Sequence, residues 1–277
     1  MNNFVQRAIT GLSFAAVMVL AILLSPWSFI GIFFIISTLG ILEFYRLVKS
    51  DNTHPQTLVG LIFSQILFII FTLALWKNSS MEWMLISIPM VAAIFIVELY
   101  RKKEHPFQNI AITITGIIYL TLPVLLIIKI AFGLTPGDAV PYHGGVIMGC
   151  ILLIWASDTG AYMIGSKFGK HRLFERISPK KSWEGFFGGM LVALLAAWLD
   201  SIWFPVLTLM EWMIISVIVV VTGTLGDLVE SMLKRSIGVK DSGNILPGHG
   251  GILDRFDALL ISIPFVFFYL FLIGKFA

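Results

Sequence analysis

The residues best suited to chemistry lie in one polar, glycine-containing stretch near the end of a chain that is otherwise mostly apolar. From Ser231 to Asp257 the sequence reads SMLKRSIGVKDSGNILPGHGGILDRFD. Charged groups beside a bilayer are costly unless they meet water, one another, a metal or a ligand. A cluster of this density between two apolar segments therefore predicts a functional site.

Carboxylates flank this stretch at helical spacing. Asp227, Glu230 and Ser231 end one apolar segment at spacings of three and four residues, which places them on one helix face. Asp254 and Asp257 open the next segment three residues apart, again on one face. The carboxylates of Asp227, Asp254 and Asp257 predict a hard-oxygen site of the kind that Mg²⁺ prefers when it also binds substrate phosphates. A cap that complements the helix macrodipole is the competing interpretation of Asp254.

The loop between these segments and the cations around it favour an anionic ligand. The glycine-rich run at residues 247–251 lets backbone N–H groups approach an anion closely, and the helix N-terminus that follows also attracts anions. Phosphate is the predicted ligand. His249, Gly250 and Gly251 are predicted to contact it, and His249 is given no catalytic role. The fixed positive charge that would orient the phosphate comes from Lys234, Arg235, Lys240 and Arg255.

A third candidate region precedes these two, in the run WASDTGAYMIGSKFGKHRLFERISPKKSWEG. Asp158 lies near the end of an apolar segment, where an unpaired carboxylate is expensive, so it requires a structural partner or a functional role. Lys180 and Lys181 are adjacent cations in a turn that leads into the next segment, and they are predicted to bind substrate. A topology signal with a helix cap at Ser182 is the alternative. The remaining candidates are Asp158, Glu184, Glu230 and Asp241.

The elements that must position these residues are membrane-spanning helices. Hydrophobic residues make up 58% of the 277 and charged residues 13%, against roughly 25% charged in soluble domains. An apolar stretch of about 20 residues is needed to cross the hydrocarbon core. We therefore predict an all-α, polytopic integral membrane protein with about nine transmembrane helices, near residues 8–24, 27–44, 57–76, 82–100, 110–132, 145–164, 185–204, 207–228 and 253–273.

The positive charges predict the orientation, since cytoplasmic loops carry the excess of Lys and Arg. With nine crossings, all of the 19 Lys and Arg residues except Lys77, Lys129 and Lys275 fall on one side. This distribution predicts a cytoplasmic N-terminus and an external C-terminus, with the polar regions on the cytoplasmic side. The basic run at residues 101–103 is assigned to topology or to anionic lipid headgroups.

The candidate residues are concentrated in the second half of the chain. We predict an N-terminal scaffold half of five helices, residues 1–132, and a C-terminal catalytic half of four helices with cytoplasmic loops, residues 145–277, within a single membrane unit. Cys150 is the only cysteine, which excludes an internal disulfide, and it is predicted to pack in the apolar interior.

The run from Ser231 to Asp257 closely resembles the signature of the phosphatidate cytidylyltransferases, also called CDP-diacylglycerol synthases. The segments at 157–162, SDTGAY, and 178–185, SPKKSWEG, are also similar to the bacterial members. Residue-level resemblance covers mainly the C-terminal part of the chain. The matching elements, in the family's order and spacing, are Ser231, Lys234, Arg235, Lys240, Asp241, Gly243, Pro247, His249, Gly250, Gly251, Asp254, Arg255 and Asp257.

This resemblance implies transfer of the cytidylyl group from CTP to phosphatidate, giving CDP-diacylglycerol and pyrophosphate, in phospholipid biosynthesis. It also implies dependence on Mg²⁺, a metal centre at the carboxylates matching Asp227, Asp254 and Asp257 that can hold a second cation, and a homodimer. The expected partners are CTP, phosphatidate and membrane lipids, with no nucleic acid. The expected location is the bacterial inner membrane, with the active site facing the cytoplasm.

Other functions predict different sequence features. An ion-coupled transporter would place polar residues near mid-membrane in repeated halves, whereas these charges cluster at segment ends and no repeat is visible. A CDP-alcohol phosphotransferase would carry a DGxxAR-type signature, which the sequence lacks. A CTP-dependent enzyme that acts on another lipid phosphate or on an isoprenoid remains open.

Overall fold

The chain is almost entirely helical, as the sequence predicts. The computed structural model describes residues 3–77, 81–134, 142–243, 245 and 250–276. Its helices are α1 (Asn3–Leu24), α2 (Pro26–Val48), α3 (Thr57–Trp76), α4 (Ser87–Arg101), α5 (Pro106–Gly116), α6 (Leu122–Gly133), α7 (Gly144–Phe168), α8 (Trp183–Trp203), α9 (Leu209–Ser236) and α10 (Leu253–Leu272). The predicted all-α, polytopic class is confirmed.

Among the described residues, eight helical stretches are long and apolar enough to cross a membrane. One of them joins α5 to α6 through a π-helical turn at Ile117–Thr121. Pro123 lies two residues after this turn, and its missing N–H removes one hydrogen bond from the helical ladder there. Another joins the 3₁₀ turn Met81–Ile86 to α4. The first predicted span corresponds to α1, whose apolar part, Ile9–Leu24, is shorter than the other eight.

Helix α9 continues about two turns beyond the predicted end of its span at residue 228. Hydropathy identifies only the part of a helix that crosses hydrocarbon. A helix can continue beyond that part where polar side chains form ion pairs along its surface. Here the Nζ of Lys234 lies 2.7 Å from Oε2 of Glu230, an i,i+4 ion pair. The candidate residues at positions 230–235 are therefore on a helix.

A small β-hairpin, which the sequence did not predict, fills the connection between α7 and α8. Strand β1 (Arg172–Phe174) pairs antiparallel with β2 (Ser178–Ser182), with an irregular register between its two paired positions. Strands this short and basic show no alternation of apolar and polar residues, so their pattern does not indicate a strand. At its end, the Oγ of Ser182 accepts the N–H of Gly185 and caps α8.

The chain forms two compact units. The first contains residues Met1–Phe132 together with Asp241–Leu253, and the second contains Gly133–Lys240 together with Asp254–Ala277. We name Asp241–Leu253 the glycine loop; residues 244 and 246–249 of it lie outside the described residues. The glycine loop thus belongs to the first unit although it lies late in the sequence.

The first unit packs aromatic side chains against small residues. Tyr45 is buried between α3 and α5. A Cβ added to Gly60 would overlap the hydroxyl of Tyr45, and one added to Gly116 would lie 2.5 Å from its ring. A buried polar cluster holds α4 and α5 to the turn before α3. At its centre, the carboxylate of Glu98 accepts hydrogen bonds from Gln56, Arg101 and Asn109 at 2.7, 2.7 and 2.8 Å. Arg101, which the sequence assigned to topology or lipid headgroups, is therefore a structural ion-pair partner.

The second unit packs through close backbone approaches at glycines. A Cβ on Gly189 of α8 would lie 2.6 Å from the backbone oxygen of Ser157 on α7. A Cβ on Gly226 of α9 would lie 2.6 Å from the backbone oxygen of Asp257 on α10. Small residues are the usual means by which membrane helices approach this closely. The second contact brings the backbones carrying Asp227 and Asp257 together, and the first packs the helix carrying Asp158 against α8.

Candidate active site

A cavity of about 510 Å³ opens in the second unit beside α7, the hairpin and the start of α8. This volume falls within the range of small-molecule sites. Tyr162 and Phe186 contribute aromatic surface to its lining. Three cations give it the positive charge that a phosphorylated ligand requires. The charged residues of the lining are Asp158, Arg172, Lys180 and Lys181.

A second cavity of about 40 Å³ lies in the same unit and has walls in common with the first. It collects carboxylates from three helices, namely Asp158 of α7, Asp227 of α9 and Asp257 of α10. The cationic space and the carboxylate space are therefore adjacent. The residues that line both cavities are Ser157, Asp158, Lys181 and Thr224.

The carboxylate of Asp227 is bound through both of its oxygens. The Nζ of Lys181 lies 2.5 Å from Oδ2, and the hydroxyl of Ser231 donates to Oδ1 at 3.1 Å. Ser231 is one helical turn from Asp227 on α9, so the helix itself fixes this hydrogen bond. Lys181 is consequently held at the boundary of the two cavities, where its charge can also serve an anionic ligand.

A buried ion-pair cluster joins the last turns of α9 to the start of α10. The ammonium of Lys234 donates to Oε2 of Glu230 at 2.7 Å and to Oδ1 of Asp254 at 2.6 Å. Both Lys234 and Glu230 are buried. The positive charge of this ammonium offsets the cost of burying the two carboxylates, and both of them hold the ammonium in place.

Glu184 organises the hairpin. Its carboxylate accepts the backbone N–H groups of Lys170 and His171 at 3.1 and 3.2 Å, and its Oε1 lies 2.6 Å from Nδ1 of His171. These contacts join the start of α8 to the chain just before β1. The hairpin that carries Lys180 and Lys181 is thereby held at both ends, because Ser182 caps α8 at the other.

In the first unit, the glycine loop closes on a carboxylate that the sequence did not single out. Glu43 of α2 is buried, and its Oε1 accepts the hydroxyl of Ser242 at 2.5 Å and the N–H of Leu253 at 3.0 Å. Its Oε2 accepts the N–H of Ile252 at 2.9 Å. The N–H groups of Ile252 and Leu253, which directly follow the glycine-rich run, are therefore bound to Glu43.

Magnesium fits the donor chemistry of the smaller cavity. Mg²⁺ is commonly held by one or two carboxylates, with waters and substrate phosphates completing its coordination. Asp158, Asp227 and Asp257 supply carboxylate oxygens around a space of about 40 Å³. In the part of the chain that the structure describes, no three His, Cys, Asp or Glu side chains are arranged to hold an ion by themselves. An ion at this place would therefore need waters or substrate oxygens as further ligands.

The whole chain matches one protein family. Residues 5–273 fit the model described as the cytidylyltransferase family. The chain belongs to the cytidylyltransferase family. Over 275 residues, 98% of each chain, it is 31% identical to the phosphatidate cytidylyltransferase of Bacillus subtilis (strain 168). It is also 46% identical to that of Haemophilus influenzae over 141 residues, covering 48% of this chain and 49% of that one, and 38% identical to that of Staphylococcus aureus (strain COL) over 180 residues, covering 63% and 65%.

In this member of the cytidylyltransferase family, the structure brings together part of the predicted site. Asp227, Asp257 and Asp158 line one cavity, and Lys180 and Lys181 line the adjoining one. The lining of the smaller cavity does not include Asp254, whose carboxylate contacts Lys234. The assignment of Asp254 as a metal ligand stays a prediction.

Other predicted residues lie apart from the cavity linings. Arg235 is exposed and donates to the backbone oxygen of Val239 at 3.1 Å, which closes the last turn of α9. Arg255, Lys240 and Asp241 are also exposed. Gly250 has φ +82°, a conformation that favours glycine. His249 lies outside the described residues.

Sequence reasoning missed Arg172 as a residue of the site and Glu43 as the carboxylate that binds the glycine loop within the first unit. Arg172 was counted only as a topogenic charge, yet it lines the larger cavity. Glu43 sits in the run LEFYR inside an apolar segment. A carboxylate in such a segment is itself a signal for a functional or structural partner, and this signal was available.

Proposed function

We propose that this chain is a phosphatidate cytidylyltransferase, which transfers the cytidylyl group of CTP to phosphatidate and releases pyrophosphate. The observation that carries the proposal is the pair of adjoining cavities, one cationic and one lined by three carboxylates, in a chain of the cytidylyltransferase family. This combination suits a reaction between two phosphate esters with a divalent cation.

The chemistry requires positioning rather than proton abstraction. The nucleophile is an oxygen of the lipid phosphate, which is already an oxyanion because the second pKa of a phosphomonoester is near 6. It attacks the α-phosphorus of CTP, forming a new P–O bond. The bond from that phosphorus to the bridging oxygen of the β-phosphate breaks, and pyrophosphate leaves with the electron pair. No general base is needed.

The residues of the larger cavity supply the positive charge. Arg172, Lys180 and Lys181 are placed to bind phosphate oxygens and to bring two polyanions together, which is the main barrier to this reaction. Asp227 and Ser231 hold Lys181 in place. When bound at Asp158, Asp227 and Asp257, Mg²⁺ would neutralise charge that develops on the transferring and departing phosphates.

The substrates also favour a location. CTP is a cytosolic nucleotide and phosphatidate a membrane lipid, so the reaction belongs at the cytoplasmic boundary of a bilayer. The positive-inside distribution supports this placement for the hairpin and for the end of α9. Bacterial relatives support the inner membrane. The homodimer stays a prediction.

The test is a transfer assay with the purified protein in detergent micelles. CTP labelled at the α-phosphate is offered with a panel of lipid phosphates that includes phosphatidate, a lysophosphatidate and an isoprenyl phosphate. The label is expected in the lipid fraction with phosphatidate, in step with release of pyrophosphate, and CTP labelled at the γ-phosphate should leave the lipid unlabelled. Lys181→Ala should lower the rate, and Lys102→Ala, at an exposed residue after α4, serves as its control.

Label transfer to the isoprenyl phosphate in preference to phosphatidate would replace the proposal with another lipid-phosphate substrate. No transfer to any lipid from a folded protein supplied with Mg²⁺ would refute it.

A further inference from the structure

An apolar groove of about 290 Å³ runs between α2 and α3 within the first unit. At one end lie Trp27 and Trp76, whose ring centroids are 4.6 Å apart. At the other end lie Phe34 and Phe68, in an edge-to-face contact with centroids 5.5 Å apart. Aromatic rings therefore bound the groove at both ends, and its long axis follows the two helices.

The groove covers most of the depth of one membrane leaflet. Its lining extends from residue 27 to 34 on α2 and from 68 to 76 on α3, which is about 11 to 12 Å at a rise of 1.5 Å per residue. Half of a hydrocarbon core about 30 Å thick is about 15 Å. Trp27 begins α2 and Trp76 ends α3, as is typical of tryptophan at the headgroup boundary. On the predicted topology, this boundary is the extracytoplasmic one.

The groove contains a buried hydroxyl that has no protein partner among the described residues. Thr72 lines the groove, is 8% exposed, and its Oγ1 makes no hydrogen bond there. By contrast, Thr38 and Thr113 of the same unit each donate to the backbone oxygen four residues earlier, at 2.8 and 2.7 Å. A buried hydroxyl without an acceptor is costly in hydrocarbon. Its position therefore indicates an acceptor that a ligand supplies.

The size of the groove favours a narrow ligand. A helix of a second copy is about 10 Å across and would occupy roughly 900 Å³ over the same length, about three times the volume of the groove. A single hydrocarbon chain is much narrower. Gly31 also lines the groove, and a Cβ added there would meet nothing within 4 Å. A larger side chain at Gly31 would therefore fill the groove without pushing the helices apart.

We propose that this groove binds one acyl chain of a diester phospholipid, and that the hydroxyl of Thr72 donates to an ester carbonyl oxygen of that lipid. Thr72 lies one helical turn, about 6 Å, inside the level of Trp76. Ester groups lie just inside the headgroups, so the hydroxyl and the carbonyl meet at the same depth. The chain then follows the groove from the two tryptophans to Phe34 and Phe68.

The first test measures lipid binding without any activity. The full-length protein, purified in detergent and freed of lipid, is titrated with dioleoyl phosphatidylcholine and followed by native mass spectrometry. One lipid should bind more tightly than the rest. Gly31→Leu should weaken this first binding step at least about tenfold, because the new side chain takes the place of the acyl chain. Ala92→Leu, at an exposed residue of α4 outside the groove, is the control and should bind as the wild type does.

The second test isolates the hydroxyl. The same titration is made with the diether analogue, which has identical chains and headgroup and lacks the ester carbonyls. The wild type should bind the diester about threefold to tenfold more tightly, the range that one hydrogen bond supplies. Thr72→Val keeps the shape of the side chain and should lose this preference. Thr38→Val removes a hydroxyl that is already bound within α2 and should keep it.

Two results would overturn the proposal. One is equal affinity of the wild type for the diester and the diether. The other is a first lipid that Gly31→Leu binds as tightly as the wild type. If Gly31→Leu instead lost a dimer signal that the wild type shows, with lipid binding unchanged, the groove would belong to a contact between two copies of the chain.

Discussion

The ion pair between Lys181 and Asp227 connects the two cavities at the scale of single residues. Lys181 lines both of them, and Asp227 lines the smaller one. The carboxylates of Asp158, Asp227 and Asp257 repel one another. In the absence of substrate, the positive charge of Lys181 offsets this repulsion at Asp227. We expect Lys181 to exchange part of this contact for phosphate oxygens when substrate and a divalent cation enter.

The carboxylates of the smaller cavity give the first prediction at this scale. Asp227→Asn and Asp257→Asn are nearly isosteric and keep one neutral oxygen, so the fold should persist while charge for the metal is lost. Turnover should fall by at least about a hundredfold, or ~2.7 kcal/mol of transition-state stabilisation. The Mg²⁺ concentration needed for half-maximal rate should rise wherever activity remains. Transfer rates and Mg²⁺ titrations with the purified variants measure both effects.

Asp51→Asn is the control for these variants, because Asp51 is exposed in the turn between α2 and α3 and lines neither cavity. It should match the wild type. A folded Asp257→Asn protein with normal turnover and normal Mg²⁺ dependence would remove Asp257 from the metal site.

At the scale of elements, the site depends on how closely α9 and α10 approach. Gly226 precedes Asp227 directly and contacts the backbone oxygen of Asp257, so this one contact sets the separation of two carboxylates on different helices. The hairpin plays the corresponding part for the cations. Glu184 and Ser182 fix its two ends, and Lys180 and Lys181 lie on its second strand.

Gly226→Ala tests this element contact. The added Cβ would lie 2.6 Å from the backbone oxygen of Asp257, and backbone cannot rotate away as a side chain can, so the two helices must separate. A displacement of about 1 Å at reacting groups can cost a hundredfold in rate. We expect kcat to fall at least about tenfold, measured by cytidylyl transfer with the variant in detergent.

Gly223→Ala is the matched control, one turn earlier on the same helix. Its Cβ would meet the Oγ of Ser262 at 3.3 Å and the Cβ of Ala258 at 3.4 Å, which small shifts can accommodate. Its kcat should stay within about twofold of the wild type. Equal rates for the two alanine variants would show that the helix separation at Gly226 does not control the reaction.

At the scale of the whole molecule, neither compact unit is a continuous segment of chain. The chain leaves the second unit at Lys240, passes through the glycine loop in the first, and returns at Asp254. The residues of the signature are therefore divided between the two units. Within the first unit, the hydrogen bonds of Glu43 attach the loop to α2.

Orientation is the prediction that belongs to this scale. Glu175, in the turn of the hairpin, and Pro205, between α8 and α9, are exposed and lie beyond opposite ends of α8. In a Cys150→Ser background, Pro205→Cys should react with an impermeant maleimide added to intact spheroplasts, and Glu175→Cys only after the membrane is opened. Cys150 itself is buried. Labelling of Glu175→Cys from outside would reverse the orientation and deprive the cavities of access to cytosolic CTP.

The sequence alone was sufficient for the class of protein and for contacts within one helix. Composition and the length of apolar runs do not depend on which distant segments meet. They were therefore enough to locate the spans and to predict the polytopic fold. The helical period likewise placed Asp227 and Ser231 within hydrogen-bonding reach, and the structure shows that bond at 3.1 Å. The long resemblance near the C-terminus indicated the family to which the chain belongs.

Only the tertiary structure decided which residues of different helices meet. Spacing could not reveal that Asp158, rather than Asp254, shares a cavity with Asp227 and Asp257, because that arrangement depends on the packing of three helices that are distant in sequence. Nor could it reveal that Glu43 occupies the N–H groups of Ile252 and Leu253. A glycine-rich loop can approach any anion, and the identity of that anion depends on which distant segment packs against the loop.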